Sequence, residues 1–263
     1  MANDELMLIG NEWCASESGE SMDIHDPSCG EVIATVPRSN TVDVEKAIEA
    51  SRLALKESSW ANMDPAGRGR ILQKMAQLTY AAAKDLAKIE SQNNGKTFRE
   101  ALSEIRFGAW TLEYFAGWSD KVEGSTIPVP GNRLNYTLRQ PLGVTAHIIP
   151  WNFPLQLAIR SIAPALASGC TVIAKPASLT PLSLLAWAKA VESSGLPSGV
   201  LQVITGPGGE VGNALAGSAS VDGIVLTGGV STGKQVMQRA AENLTPVTLE
   251  LGGKGANVVF ADA

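Results

Sequence analysis

From His147 onward the chain repeats one local pattern: a short apolar segment, a turn marked by glycine or proline, and a segment with helical spacing of its apolar residues. This alternation is typical of βαβ units, which build a parallel sheet. The predicted strands contain few polar residues, as expected for strands that helices cover on both faces. Strands are predicted at 171–175, 200–204, 221–227 and 247–251, and helices at 180–195, 210–216 and 231–244. The sequence therefore predicts an α/β fold with a doubly wound parallel sheet.

The first 145 residues follow a different pattern. Short strands and turns come first, and Thr41 then caps a predicted helix. Asp64 and Pro65 begin one long helix that closes at Asn94-Gly95, and a third helix is predicted from about residue 98 to 117. Prolines and glycines break the chain within 121–145, which predicts an extended hairpin arm. The inward-facing positions predicted for the last helix of the chain are Val236, Met237, Ala240, Ala241 and Leu244.

Composition and charge exclude several classes of protein. Apolar residues make up 44% of the chain and charged residues 18%, outside the range of unfolded segments. The net charge is −5 and basic residues are not clustered, so nucleic-acid binding is not predicted. The roughly 18 consecutive apolar residues of a membrane span are absent, and no basic leader is present, so we expect a cytoplasmic protein without a membrane partner. The three cysteines and two histidines are scattered, and neither disulfides nor a metal site is predicted.

Asn152 and Trp151 lie where a predicted strand passes into a helix whose first turn contains Pro154. Asparagine is a favoured helix N-cap, so a structural role is one interpretation of Asn152. In the other interpretation its side-chain amide donates a hydrogen bond to an oxyanion. Trp151 also has two interpretations: a packing residue, or a residue whose indole N–H contacts a phosphate oxygen. The residues alone leave both alternatives open.

Lys175 and Ser178 follow the next strand. A lysine at a strand end is often a solvated terminus, but in a doubly wound fold the ribose of a dinucleotide lies at this place. An ammonium group there can hold ribose hydroxyls or a phosphate. An acidic residue in this region would repel a 2′-phosphate, whereas Ser178 carries no charge. Ser178 therefore favours tolerance of NADP.

Two glycine-rich turns follow later strands. Gly228 and Gly229 precede a predicted helix, where glycine allows close backbone approach and the helix N-terminus offers unpaired N–H groups to a diphosphate. The pattern is weak by itself, because a glycine turn also serves to pack a helix against a strand. Gly208 and Gly209 follow the preceding strand, and form either a wall of an adenine pocket or a simple loop.

Glu250 lies in the last predicted strand, where alternation of side chains places it with Thr248 on the face opposite the apolar residues. A glutamate in such a position is usually solvated. If it lines an enclosed cleft, partial burial would raise its pKa and make it a usable general base.

These four segments, in this order, resemble the aldehyde dehydrogenase superfamily along nearly the whole chain. The blocks that carry the resemblance are residues 150–154, 175–178, 227–229 and 250–254. The resemblance implies oxidation of a small-molecule aldehyde to a carboxylic acid with NAD or NADP. A cysteine forms a thiohemiacetal, hydride passes to the nicotinamide, and water activated by a glutamate releases the acid.

The resemblance also implies roles for particular residues. Asn152 would stabilise the oxyanion and Glu250 would be the general base. The arm around Tyr136 would take part in a homo-oligomer of the complete protein. The residues implied to contact the cofactor are Ile148, Ile149, Trp151, Lys175, Ser178, Gly208, Gly209, Gly228, Gly229 and Leu251.

The cysteines depart from the family pattern, in which the nucleophile follows the glutamate. Cys14, Cys29 and Cys170 all precede Glu250, and Cys170 is expected to be a core residue. We therefore expect an N-terminal, cofactor-binding half of such an enzyme, inactive alone, with a non-catalytic dinucleotide-binding or interaction module as the alternative. The expected parts are N-terminal strands and helices of the cofactor domain (1–120), the arm (121–145), the dinucleotide-binding core (146–254) and the start of a catalytic domain (255–263).

Overall fold

The computed structural model describes residues 3–263. Its strands are β1 (Asn3–Asp4), β2 (Met7–Ile9), β3 (Glu12–Cys14), β4 (Ser21–His25), β5 (Val32–Pro37), β6 (Thr126–Ile127), β7 (Asn135–Tyr136), β8 (Val144–Ile148), β9 (Thr171–Lys175), β10 (Leu201–Val203), β11 (Gly223–Gly228) and β12 (Val247–Leu251). Its α-helices are α1 (Thr41–Glu57), α2 (Pro65–Ala81), α3 (Ala83–Asn94), α4 (Phe98–Trp118), α5 (Pro154–Ser168), α6 (Leu182–Ala190), α7 (Asn213–Gly217) and α8 (Val230–Ala241). A 3₁₀ turn spans Glu192–Ser194 and a π-helical turn spans Gly208–Gly212.

The central sheet has the strand order β12-β11-β8-β9-β10-β2-β3. The five strands from β12 to β10 are parallel, which confirms the predicted doubly wound α/β fold. β8 is the first of these five in the chain and lies at their centre. The chain winds outward from β8 through β9 and β10, then returns to the other side for β11 and β12. The carboxyl end of β8 therefore borders the point where the winding direction changes.

Strands β2 and β3 extend this sheet antiparallel to their neighbours, with Leu8 opposite Val203. This extension is not among the strands predicted from the sequence. Each of the two strands has three residues, too few to show a clear period in the sequence. A separate three-stranded sheet joins β1, β5 and β4.

Alternate side chains of β9 enter two different cores. Val172 and Ala174 pack among residues from α2 to α6 on one face, whereas Ile173 packs among residues of α1, α7 and α8 on the other. Helices therefore cover both faces of the parallel strands, which explains why those strands contain few polar residues.

Three local predictions are wrong. The N-cap of α1 is Asn40 rather than Thr41, because the Asn40 side chain accepts the N–H groups of residues 42 and 43. The predicted long helix is two helices, α2 and α3, with a break at Ala82, where the backbone leaves helical geometry. Met237, Ala241 and Leu244 are exposed rather than inward-facing; Leu244 follows the end of α8 and has positive φ. α8 packs beside β11 and the edge strand β12, and its buried residues are Gly233, Val236 and Ala240.

The segment 121–145 contains a small hairpin in which β6 pairs with β7. Its apolar side chains Leu134, Leu138 and Leu142 are exposed. The hairpin agrees in form with the predicted arm, but its role in assembly stays a prediction. Among the helices described for residues 3–263, none combines the length and the apolar character that crossing a bilayer requires.

Gly143 immediately precedes the central strand β8. Its φ is +127°, and a Cβ atom at this position would overlap the carboxylate of Asp222, which accepts the N–H of Val144 at 2.7 Å. We predict that Gly143→Ala lowers the free energy of unfolding by about 1–3 kcal/mol, because it combines backbone strain with loss of this hydrogen bond. Urea denaturation measures the change. Gly117→Ala is the matched control, since Gly117 is helical and its Cβ would meet open space. Equal effects of the two substitutions would contradict the prediction.

Candidate functional site

A crevice of about 740 Å³ opens at the carboxyl ends of β8, β11 and β12. It lies at the change of winding direction, where open α/β sheets bind their ligands. The predicted site residues that line it are Ile148, Ile149, Trp151, Asn152, Gly228, Gly229, Glu250 and Leu251. The strands thus bring together side chains that are about 100 residues apart in the chain.

The other four predicted residues, Lys175, Ser178, Gly208 and Gly209, are not in the crevice wall. Lys175 is paired with Ile148 in the sheet register, and Ala177, two residues later, does line the crevice. The Ser178 hydroxyl donates to the carbonyl of Gly206 at 2.9 Å and so joins the loop after β9 to the loop after β10. Gly208 and Gly209 form the start of the π-helical turn that follows. These four residues therefore lie at or after the carboxyl ends of β9 and β10, the strands that follow β8 on one side of the sheet.

The ammonium group of Lys175 is buried without an acidic partner among the described residues. Its residue exposure is 3%, and its Nζ donates to the carbonyl of Pro176 at 3.0 Å. Burial lowers the pKa of Lys175 from 10.5 to about 8. A buried cation with spare donors is costly unless it has a further partner. The geometry fits a ligand hydroxyl or phosphate that accepts from Nζ.

The turn after β8 settles one of the alternatives for Asn152. The N-cap of α5 is Phe153, whose side chain makes no capping hydrogen bond, so Asn152 is not the cap. Asn152 is exposed at the crevice, and its side chain makes no hydrogen bond to the described residues. The amide is therefore available as a donor. The backbone carbonyl oxygen of Asn152 accepts from Lys96 Nζ at 3.0 Å.

Glu250 and Arg160 form an ion pair across the crevice. Arg160 Nη2 lies 3.8 Å from Glu250 Oε2 and 3.3 Å from the hydroxyl of Thr227. The Glu250 side chain is 57% exposed, so the partial burial expected for a general base is not provided by this chain. Glu250 is the one acidic side chain, and Arg160 the one basic side chain, among the described residues that line the crevice.

Sequence reasoning missed Phe153, Leu157 and Arg160, which line the crevice from α5. They are spaced four and three residues apart, and residues with this spacing share one face of a helix. That spacing, which runs from the turn after β8 into α5, is the signal that would have identified them. Thr232, also missed, lies in the first turn of α8.

The N-terminus of α8 faces the same crevice. Its N-cap is Gly229, which has no side chain to accept the first N–H groups of the helix. Gly228 and Gly229 have no side chains that would obstruct a ligand in front of these groups. The combination of unpaired N–H groups and helix dipole suits an anion such as a diphosphate.

The cysteines lie elsewhere. Cys170 is buried in the fold, Cys29 is exposed and Cys14 is half-buried, and none of the three lines the crevice. Burial of Cys170 agrees with the predicted core position. Within residues 3–263, His, Cys, Asp and Glu side chains do not form a group placed to hold a metal ion.

Comparisons with known proteins agree on one family. The model of the aldehyde dehydrogenase family matches residues 13–263. The hydroxyisobutyraldehyde dehydrogenase of Mycolicibacterium austroafricanum is 44% identical over 262 residues, covering 100% of this chain and 52% of the relative. Mouse retinal dehydrogenase 2 is 44% identical over 260 residues, covering 98% and 50%. A solved NAD+ complex of a Bacillus cereus aldehyde dehydrogenase superposes with a TM-score of 0.95 at 38% identity, covering 98% of this chain and 53% of that one. The chain thus spans about half the length of the relatives it matches.

The lowered pKa of Lys175 predicts a pH-dependent stability. Between pH 8 and 10.5 the unfolded chain binds more protons at Lys175 than the folded chain, so the free energy of unfolding rises with pH across this window. Lys175→Met removes this contribution and the buried charge. We expect the variant to be more stable than wild type by about 1–3 kcal/mol near neutral pH, and the difference to shrink as pH approaches 10.5. Urea denaturation at several pH values measures this, with Lys88→Met, at an exposed position, as control. A pH-independent difference would contradict the assignment.

Proposed function

The chain belongs to the aldehyde dehydrogenase family, and on that premise we propose that it provides the cofactor site, an oxyanion-binding amide and a general base for NAD(P)-dependent oxidation of an aldehyde to a carboxylic acid. The observation that carries the proposal is that Asn152, Glu250 and the glycine turn before α8 face one crevice. Because the chain spans about half the length of its relatives, the whole reaction is assigned to a longer polypeptide.

The residues around the crevice suit a dinucleotide. The open N-terminus of α8, with Gly228 and Gly229, binds the diphosphate together with the indole N–H of Trp151. The buried ammonium group of Lys175 donates to ribose hydroxyls at the neighbouring strand end, beside Ser178. Gly208 and Gly209 flank the adenine, while Ile148, Ile149 and Leu251 contact the cofactor from the strand ends. When bound, the nicotinamide accepts the hydride from the substrate carbon.

Asn152 and Glu250 divide the remaining chemistry. A thiolate adds to the aldehyde carbon and forms a C–S bond, and the Asn152 amide donates to the oxygen that gains negative charge. After hydride loss, Glu250 takes a proton from water as the water adds to the thioester; the C–S bond breaks and the acid leaves. None of the three cysteines lines the crevice, so we assign the thiol to residues outside this chain. Covering the crevice with those residues would also bury Glu250.

A second candidate function is a non-catalytic dinucleotide-binding module, favoured by the crevice that lacks a cysteine. Two experiments separate the candidates. Reading the gene beyond the codon for Ala263 supports catalysis if an in-frame continuation encodes a cysteine, and supports the module if a stop codon follows. Mixing the isolated chain with NAD and an aldehyde is expected to give binding without NADH formation. Turnover by the isolated chain would contradict the assignment of the thiol.

The exposed arm suggests how the complete protein associates. Leu134, Leu138 and Leu142 present an apolar surface on the 121–145 segment. Burying such side chains against a second copy is favourable. We therefore propose that the complete protein forms a homo-oligomer through this arm.

Calorimetric titration of the chain with NAD tests the cofactor site. We expect binding to wild type, and a loss of about 1–3 kcal/mol of binding free energy in Lys175→Met, which removes a charge-assisted hydrogen bond. The same substitution would thus raise the free energy of unfolding and weaken NAD binding. Opposite effects on stability and binding are typical of a functional position. Lys88→Met is again the control and should bind as wild type does. An absence of NAD binding to folded wild type would overturn the proposed function.

Ser178 leads to a prediction of cofactor preference. We expect Ser178→Glu to lower the ratio of NADP affinity to NAD affinity at least tenfold, because the carboxylate repels the 2′-phosphate. Titration with both cofactors gives the ratio. Leu179→Glu places the same charge on the next residue, which is 71% exposed, and should change the ratio less. Equal changes in the two variants would show a general charge effect and contradict the ribose placement.

A further inference from the structure

Beneath the turn that carries Asn152 lies a buried cluster of three ionisable side chains: Glu90 on α3, Lys96 after it and Glu104 on α4. The Lys96 ammonium group contacts the Glu104 carboxylate and lies 3.5 Å from Glu90 Oε1. The three side chains are 0–13% exposed. Burial raises the pKa of the Glu104 carboxyl. Such a cluster is costly to bury and is weak evidence for stability by itself, so its contacts with the turn deserve an explanation.

The cluster contacts the turn at Asn152 and Phe153 and the first turn of α5 at Leu155. Lys96 Nζ donates to the carbonyl of Asn152 at 3.0 Å and lies 4.6 Å from the ring centre of Phe153. Glu90 Oε2 accepts the N–H of Leu155 at 3.1 Å. Since Phe153 provides no side-chain cap, Glu90 caps α5 from a different helix.

Asn94 completes this arrangement. Its Nδ2 donates to the carbonyl of Trp151 at 2.6 Å. Asn94 and Lys96 flank Gly95, which ends α3 in the left-handed conformation with φ of +85°. A Cβ atom at Gly95 would approach Pro27 Cγ at 2.9 Å, so glycine suits this turn for two reasons. The segment 94–96 therefore presents two donors to two successive carbonyl groups.

Holding these two carbonyl groups fixes the direction in which the Asn152 side chain leaves the backbone. The carbonyl of residue 151 belongs to the peptide plane before the Asn152 Cα, and the carbonyl of residue 152 to the plane after it. Peptide groups are planar, so holding both planes fixes the φ and ψ angles of Asn152 and hence its Cα–Cβ direction. The Asn152 side chain makes no hydrogen bond to the described residues, so no polar partner sets its χ angles, and the backbone sets the direction in which it leaves the chain.

We propose that Asn94 and Lys96, supported by Glu90 and Glu104, are positioning residues that hold the Asn152 amide toward the crevice. The functional importance of this orientation rests on the proposed function, in which the Asn152 amide donates a hydrogen bond to an oxyanion. The positioning itself is a property of the chain and does not require cofactor. The Asn94-Gly95 pair, which the sequence identified as a helix end, thus acts on the site.

The test measures the motion of each peptide plane separately. The N–H of Asn152 shares a plane with the Trp151 carbonyl, and the N–H of Phe153 shares a plane with the Asn152 carbonyl. We expect Asn94→Ala to lower the ¹⁵N{¹H} NOE of the Asn152 amide, and Lys96→Met to lower that of the Phe153 amide. The indole N–H of Trp187, bonded to Thr79 in the core, should be unchanged in both variants. Matched controls are Gln92→Ala and Lys88→Met, at exposed positions of α3, and both should leave the turn as in wild type.

The outcomes separate positioning from general stability. Unchanged NOE values in the turn would overturn the proposal, and so would a change at Trp187 as large as that in the turn. Lys96→Met leaves two buried carboxylates without a cation; if it fails to fold, Asn94→Ala, which removes a neutral donor, decides alone. A titration of wild type with NAD accompanies the NMR experiment. Failure of NAD to bind would count against the proposed function, whereas the NOE values decide the positioning independently.

Discussion

The hydrogen bonding of β8 on both of its edges is the constraint on which the rest of the structure depends. β9 pairs along one edge and β11 along the other, all in the same direction. Parallel strands that are neighbours end at the same edge of the sheet, so the turns after them must meet. Because the winding direction changes at β8, helices leave on opposite faces there and a crevice remains between the turns. This pairing explains why Asn152 and Glu250 line the same crevice.

The sheet brings the strand ends of the site together, and buried polar groups then hold individual residues there in place. The ammonium group of Lys175 is held at a strand end with one carbonyl partner, and the cluster around Lys96 supports the Asn152 turn. Both arrangements carry a desolvation cost that an apolar core would avoid. Lys175 ends a strand next to the crevice, and Lys96 lies between α3 and α4 beneath the turn that lines the crevice. In these two places, buried polar groups hold a strand end or a turn beside the crevice.

Much of the fold was readable from the sequence, because its parallel strands are nearly uniform in polarity and its turns contain glycine and proline. β9 and β12 were predicted with the bounds the structure has. Errors arose where a local signal was absent or shared. The break at Ala82 lies between segments that both favour a helix, and Asn40 and Thr41 are both good caps, so local propensity did not choose between them. Strands β2 and β3 were missed because three residues do not establish a period.

The sequence by itself determined the α/β architecture and the identity of the residues at the strand ends, since apolar periodicity and residue type act locally and in chain order. The resemblance of four segments to a known family indicated the family. Only the tertiary structure decided which of these residues share a crevice, that Asn152 does not cap α5, and that Lys175 is buried. It alone also brought Arg160 to Glu250 and Lys96 to the Asn152 carbonyl. The physical reason is that these properties depend on contacts between residues tens of positions apart, and side-chain burial and hydrogen-bond partners exist only once the sheet and its helices have packed.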